Sequence, residues 1–275
     1  LGAELTAAEA RRAQQAPNPN SMDLYFQGLA SFNKGTNLEN MDQARGFFER
    51  ALTVDPDNID ALLGVGRADF EVGAAFLSND RPARLASAEA TMGKVLSLRP
   101  NDALAHEILG LAQMQTNRAA RAIAEFERAL ALDPNLAAAH ADIGDAKIFI
   151  GRAGETEAHV TEALRLSPHD GRAWLWMLFA GGAKLTLGAD EEAVARLRRS
   201  IEINRTFPLA HFFLAAALAN LGRLDEARAE SSVGLTLDST FTIQRFRGRE
   251  SDDPIFLAGK ERIIDGMRKA DVPEG

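Results

Sequence analysis

One six-residue phrase returns along this chain at a nearly constant interval. It reads Ala51-Leu52-Thr53-Val54-Asp55-Pro56, then Val95-Leu96-Ser97-Leu98-Arg99-Pro100, then Ala129-Leu130-Ala131-Leu132-Asp133-Pro134. Later copies end in Ser167-Pro168, Asn204-Arg205 and Asp238-Ser239. Aligned on Asp55, Arg99, Asp133, Ser167, Asn204 and Asp238, successive copies lie 44, 34, 34, 37 and 34 residues apart. A period of that size constrains the fold more than local propensity does. Each repeat is one supersecondary unit that buries its apolar face only against its neighbours. The two longer steps mark insertions.

Other positions recur in the same phase. The third copy carries Leu109-Gly110, Ala122, Phe126, Ala129 and Pro134, and the fourth Ile143-Gly144, Gly151, Ala163 and Pro168. The last carries Leu214-Ala215, Gly222, Ala227 and Gly234. In the first, Tyr25, Gly28, Leu29 and Ala30 fall on one helix and Ala44, Phe48 and Ala51 on the next. The small residue lets two helices approach, the glycine closes the first helix and the proline stops the second.

These positions resemble the tetratricopeptide (TPR) repeat, over about residues 21–241. The resemblance implies an all-α right-handed superhelix, a solenoid of about six helical hairpins with a C-terminal capping helix. Three segments follow: 1–20, an N-terminal helix and Pro/Asn linker; 21–241, the array; and 242–275, the capping segment. Thr6 and Glu9 have capping-box spacing for a helix to about Gln15, broken by Pro17-Asn18-Pro19. The first insertion is expected to prolong a helix to about Leu77, turn at Ser78-Asn79-Asp80 and restart near Pro82. The second is expected to lengthen the helix after Trp174 to about Leu187. A last helix is expected over about 255–269, with Lys260, Glu261, Arg262 and Arg268 on a solvated outer face.

Composition narrows the function classes. Only 7% of residues are aromatic against 46% apolar, which suits helices packed through alanine. Lys+Arg 31 against Asp+Glu 39 leaves a net charge of −8, and a nucleic-acid partner needs a basic footprint instead. Without cysteine there are no disulfides, thiolate metal sites or cysteine nucleophile. No apolar run approaches the roughly 18 residues needed to span a bilayer, so no membrane partner is expected. The opening Leu1-Gly2 lacks a basic-then-apolar leader, and a cytoplasmic piece of something longer is the expectation.

A search for chemistry leaves little. His106, His140 and His211 share the fourth slot of their repeats, which Trp174 is taken to fill in repeat five. Equivalent slots in successive repeats lie roughly 8–10 Å apart, too far for shared coordination through bonds of about 2 Å. These imidazoles are expected between paired helices, and His159 and His169 in solvent. Gly93-Lys94 and Gly259-Lys260 lack the upstream glycine of a phosphate loop. Asp252-Asp253 and Glu191-Glu192 read as helix-start charges. Arg245, Arg247 and Arg249 form the densest basic cluster, either a phosphate contact or a strip solvated beside its acidic neighbours. The expectation is a non-enzymatic chain with no metal and no cofactor.

The TPR resemblance implies a concave groove lined by positions 2, 5, 9, 12 and 13 of each repeat. Assigning those positions by the period gives Phe70, Met114, Ile148, Phe149, Leu175, Phe179 and Phe212 as the apolar peptide-binding candidates. The Lys, Asn and Arg with which chaperone-tail binders of this family clamp a carboxylate are absent. An apolar patch of this kind marks an interaction surface or something already covered. Two alternatives stand: a peptide or intrachain segment held in the groove, or lining side chains packed on one another.

The two ends suggest a parent. Leu1-Gly2-Ala3-Glu4-Leu5-Thr6-Ala7 with the residues that follow, and the tail from Phe256 to Glu274, resemble the C-terminal half of bacterial multidomain class III adenylate/guanylate cyclases. Met267 and Asp271 depart from that tail pattern. In that group the cyclase domain and its metal-binding aspartates lie upstream, so no catalytic residue transfers here. The resemblance implies a protein-interaction module regulating a larger signalling protein. Its partner would be a protein or peptide, including the upstream domain of its own chain, with a homodimer possible. A nucleotide- or small-molecule-sensing domain and a purely structural spacer are the alternatives.

Overall fold

The computed structural model describes residues 8, 9, 11–13, 18–75, 77, 78, 80–247 and 251–275. The capping box at Thr6, the break at Pro17, and Arg249 of the basic cluster lie outside the described residues. The fold class is all-α, with no strand among the described residues.

The chain divides into two compact units, Leu1–Asp133 and Pro134–Gly275. The first holds three helical hairpins: α1 (Ser21–Phe32) with α2 (Leu38–Val54), α3 (Ile59–Ala74) with α4 (Arg81–Leu98), and α5 (Ala103–Met114) with α6 (Ala119–Leu132). The second holds α7 (Ala137–Phe149) with α8 (Thr156–Leu166), α9 (Ala173–Thr186) with α10 (Asp190–Ile203), and α11 (Pro208–Asn220) with α12 (Leu224–Leu237). A single turn, α13 (Ile243–Phe246), and a longer helix, α14 (Pro254–Lys269), complete it. The division falls inside the array, where the even period gives no sign of it.

Local chemistry sets the helix ends. Asn20 and Asp23 form a reciprocal capping box at α1, and Asn37, Asn58 and Asp102 each accept from the backbone amide three residues on. The chain leaves α2, α6, α10 and α12 through an extended residue, Asp55, Asp133, Asn204 or Asp238. The residue before proline disfavours the helical region, which explains this at Asp55 and Asp133. Within the second unit, Gly151, Gly188 and Gly222 close the hairpin turns at φ 73°, 78° and 78°, where other side chains are strained.

Packing inside a hairpin is small against large. A Cβ on Gly110 would stand 2.5 Å from the Phe126 ring, and one on Gly181 would stand 2.6 Å from Leu197 Cγ. The large partner is fully buried in both cases, and burial of a Phe or Leu side chain contributes on the order of 1.5–3 kcal/mol.

That pairing corrects the phase of repeat five. Gly144 precedes Gly151, and Ala215 precedes Gly222, by seven residues; the same spacing leads from Gly188 to Gly181. Met177, not Trp174, therefore takes the fourth slot, and the extra residues lie in the loop before α9. The first insertion also differs from expectation. Helix α3 stops at Ala74, and the Leu77 amide bends back to the Val72 carbonyl at 3.1 Å.

Candidate functional site

In the second unit α14 packs on α11 and α9. Its Phe256 ring stacks on Phe149, with centroids 5.0 Å apart and planes 24° apart, and clusters with Ile148 and Ala183. Further along, Gly259 sits against Thr186 and Gly266 against the backbone of Ala216. Ile263, Ile264 and Met267 enter the core that includes Phe212, Leu214 and Leu218. With repeat five rephased, Ile148 and Phe149 are positions 12 and 13 of repeat four, Thr186 is position 13 of repeat five, and Ala216 is position 9 of repeat six. A helix of the chain itself lies on these lining positions.

Polar contacts fix it there. Asp253 Oδ1 accepts the Ile255 and Phe256 amides at 2.9 Å each, and Ser251 Oγ donates to the Phe149 carbonyl at 2.5 Å. Arg262 donates to the Leu185 carbonyl and to Asp190 Oδ1, both at 2.9 Å. Lys260, 7% exposed, donates to the Arg247 carbonyl at 2.8 Å, with its ammonium 5.7 and 5.8 Å from the Phe246 and Phe256 ring centres. Beyond the helix, the Ile243 and Gln244 amides donate to the Pro273 and Glu274 carbonyls at 2.9 Å.

The expected solvated face of α14 is thus half right. Glu261 and Arg268 are exposed, whereas Lys260 and Arg262 turn inward, because their long apolar stems cover core surface while their heads reach carbonyls and a carboxylate. The basic cluster is engaged too. Arg245 donates to Asp238 Oδ2 at 3.1 Å, and Arg247 pairs with Glu261, holding that carboxyl below its usual range.

The sequence candidates fall in different places. Ile148 is buried beside Phe256, and Phe149 is half-buried under its stack. Phe212 is 0% exposed: it stacks on Phe241 at 3.9 Å and presses on Gly234, so it belongs to the core and not to an open lining. Phe179 packs against the cluster of Val160 and Trp176, off the rephased lining, and Leu175 packs on the second unit's main core. In the first unit Phe70 and Met114 are buried, Phe70 beside Leu62 and Ile108. Tyr25, Leu29 and Phe32 line the same positions half-buried, with the Arg67 guanidinium 5.9 Å from the Phe32 ring centre. Sequence reasoning placed Ala216 on the lining by period but missed Thr186, Gly259 and Gly266. The available signal was two glycines seven apart in a helix whose intervening residues include Ile263 and Ile264.

The histidines form a repeated polar clasp. His106 Nδ1 lies 2.6 Å from Glu125 Oε2 and Nε2 3.3 Å from the Pro100 carbonyl. His211 repeats this at 2.7 Å from Glu230 Oε2 and 3.2 Å from the Arg205 carbonyl. Glu230 raises the His211 pKa, against partial desolvation that lowers it. In repeat four the matching pair is His140 and His159, with ring centres 6.3 Å apart, so His159 is half-buried and not solvated. No group of three or more His, Asp or Glu able to hold a metal occurs among the described residues. No described helix is long and apolar enough to cross a membrane.

Comparison with known proteins agrees with this architecture. Residues 83–137 match the family model described as tetratricopeptide repeat. No curated protein matches the sequence. Among solved structures the chain is similar to TTC0263, a thermophilic TPR protein of Thermus thermophilus, with TM-score 0.58 and 19% identity over 72% of this chain and 98% of that one. It is also similar to the APC/C hetero-tetramer Cut9-Hcn1, with TM-score 0.74 and 14% identity over 95% of this chain and 46% of the matched one. A third is the human IFIT1 dimer with m7Gppp-AAAA, with TM-score 0.67 and 17% identity over 98% of this chain and 64% of that one. The chain thus spans less than two thirds of the last two. At these identities the likeness concerns the fold, and with the family match it supports reading the hairpins as TPR repeats.

Proposed function

We propose that this chain is a non-catalytic protein-interaction module whose concave lining holds helical or peptide segments. In this reading it is the cytoplasmic, regulatory C-terminal part of a larger signalling protein such as a nucleotide cyclase. The observation that carries the first part is α14 itself. An amphipathic helix rests on Ile148, Phe149, Thr186 and Ala216, lining positions of three successive repeats. The cyclase parent rests on the resemblance of the two chain ends alone.

The favoured partner is a protein segment, first of all the domain upstream in the parent chain, with a second copy next. Cut9-Hcn1, similar in fold, is by its name an assembly of proteins. IFIT1 was solved with a capped RNA; the net charge of −8 here speaks against a phosphate-rich ligand. Nucleotide sensing is the second reading, and one calorimetric series separates the two. Titration with the upstream segment is expected to show binding that Phe149→Ala weakens about 30-fold, corresponding to roughly 2 kcal/mol at an aromatic anchor. ATP, GTP and cyclic nucleotides are expected to give no heat. Micromolar nucleotide binding without any protein partner would overturn the proposal.

A further inference from the structure

Gly259 and Gly266 stand seven residues apart, two helical turns, and so share one face of α14. A Cβ on Gly266 would stand 2.6 Å from the Ala216 carbonyl oxygen, and one on Gly259 would run into the Thr186 side-chain methyl. Phe256, Ile263, Ile264 and Met267 complete that face and are buried, whereas Ile255, Leu257, Glu261 and Asp265 are exposed. Three residues after the first glycine, Arg262 reaches the buried Asp190 carboxylate. The floor beneath contains Ala183 and Ala216. At the repeat position that Ala216 holds, the first unit carries Leu29, Arg67 and Leu111, where repeat five has Gly182. Those side chains occupy the space that a closely approaching helix backbone would need.

We infer that the lining of repeats four to six is a docking site for one kind of helix, of which α14 is the resident copy. The pattern is an aromatic, a glycine three residues on, an arginine three after that, two aliphatics, and a second glycine seven after the first. A partner helix with that pattern docks there in exchange for α14. This rests on the interaction-module reading and names the chemistry of the partner. Tethering gives α14 an effective concentration on the order of millimolar, so exchange in the unaltered chain needs a tight partner or a weakened α14.

The test uses the full chain and a fluorescent synthetic peptide of residues 251–272. Gly266→Leu in the chain leaves the floor untouched and displaces α14. The peptide is expected to bind this variant at least about 100-fold more tightly than the unaltered chain. A peptide with leucine at both glycine positions is expected not to bind, and an Arg262→Ala peptide to bind about tenfold more weakly. No peptide binding to a variant that keeps its helical circular dichroism and cooperative melt overturns the inference, and so does equal binding by the leucine peptide. If Gly266→Leu unfolds the second unit, the chain with Phe256→Ala and Arg262→Ala replaces it. Should that chain unfold too, α14 is inseparable core and exchange is excluded. In each negative case, retained binding of the upstream segment leaves the interaction-module reading standing.

Discussion

Gly266 and Ala216 meet backbone to backbone: a Cβ on Gly266 would lie 2.6 Å from the Ala216 carbonyl oxygen and 2.9 Å from its Cα. Close approach of this kind multiplies dispersion contacts along both helices, and it is available only where both partners are small. It also explains why Met267 and Ile264, flanking that crossing, are fully buried. The position of α14 is therefore set by shape, and its polar contacts with Asp190, Leu185 and Arg247 fix its register.

Gly144→Leu is expected to destabilise the second unit by about 1–3 kcal/mol through overpacking. A Cβ added there would stand 3.2 Å from His159 Cβ and 3.3 Å from the Thr156 carbonyl. Thermal melts of the two chains decide it. An unchanged melting temperature would show that the α7–α8 crossing tolerates side chains.

Asp69 carries the densest charge network of the first unit. Its fully buried carboxylate accepts from Arg45 at 2.9 Å, Arg84 at 2.7 Å and Ser87 Oγ at 2.6 Å, tying α2 and α4 to α3. Asp69→Ala removes the buried acceptor and leaves Arg45 only Glu49 and Arg84 only Asp42, both more exposed, and breaking a buried pair typically costs about 3–5 kcal/mol. Both arginines keep part of their surface in water, so a loss nearer about 2–3 kcal/mol is expected after screening. Urea unfolding of the variant is the measurement, and a loss below about 0.5 kcal/mol would reduce the network to surface decoration.

What the sequence made legible follows from what repeats. Hairpins, turn glycines and the small-against-large pairs recur, so a period of 34 exposes them even where single positions are ambiguous. The phase of repeat five was lost because Trp174, a large aromatic, fits the fourth slot by type, while the true marker was the spacing of Gly181 from Gly188. Phe212 was misplaced for a related reason. Its slot lines the groove by period, but Gly234 on the facing helix leaves a space into which the ring turns. The inward head of Lys260 was illegible because its partner, the Arg247 carbonyl, is a backbone atom that no side-chain pattern reports, and that of Arg262 because Asp190 lies 72 residues away in sequence.

The His211–Glu230 pair makes stability depend on pH. The folded pKa is raised above the ordinary histidine value of 6.5, chiefly by the hydrogen bond to Glu230. A raised folded pKa means the folded state holds the proton more tightly than the unfolded chain, so the contribution is complete below pH about 6.5 and lost as pH rises through the folded value. Relative to His211→Gln, the unaltered chain is expected to lose melting temperature as pH rises above about 6.5. Parallel pH profiles for the two chains would assign the pH dependence elsewhere.

As a seated occupant of the lining and not an indivisible part of the hairpin stack, α14 is expected to open separately from its neighbours. Amide hydrogen exchange of the full chain, unaltered and with Phe256→Ala, tests it most directly, because separately opening segments exchange below the global unfolding free energy. Removing the Phe149–Phe256 stack is expected to expose the amides of Ile263, Ile264 and Met267, while those of α11 and α12 keep their protection. Equal loss of protection across α11, α12 and α14 would contradict the account.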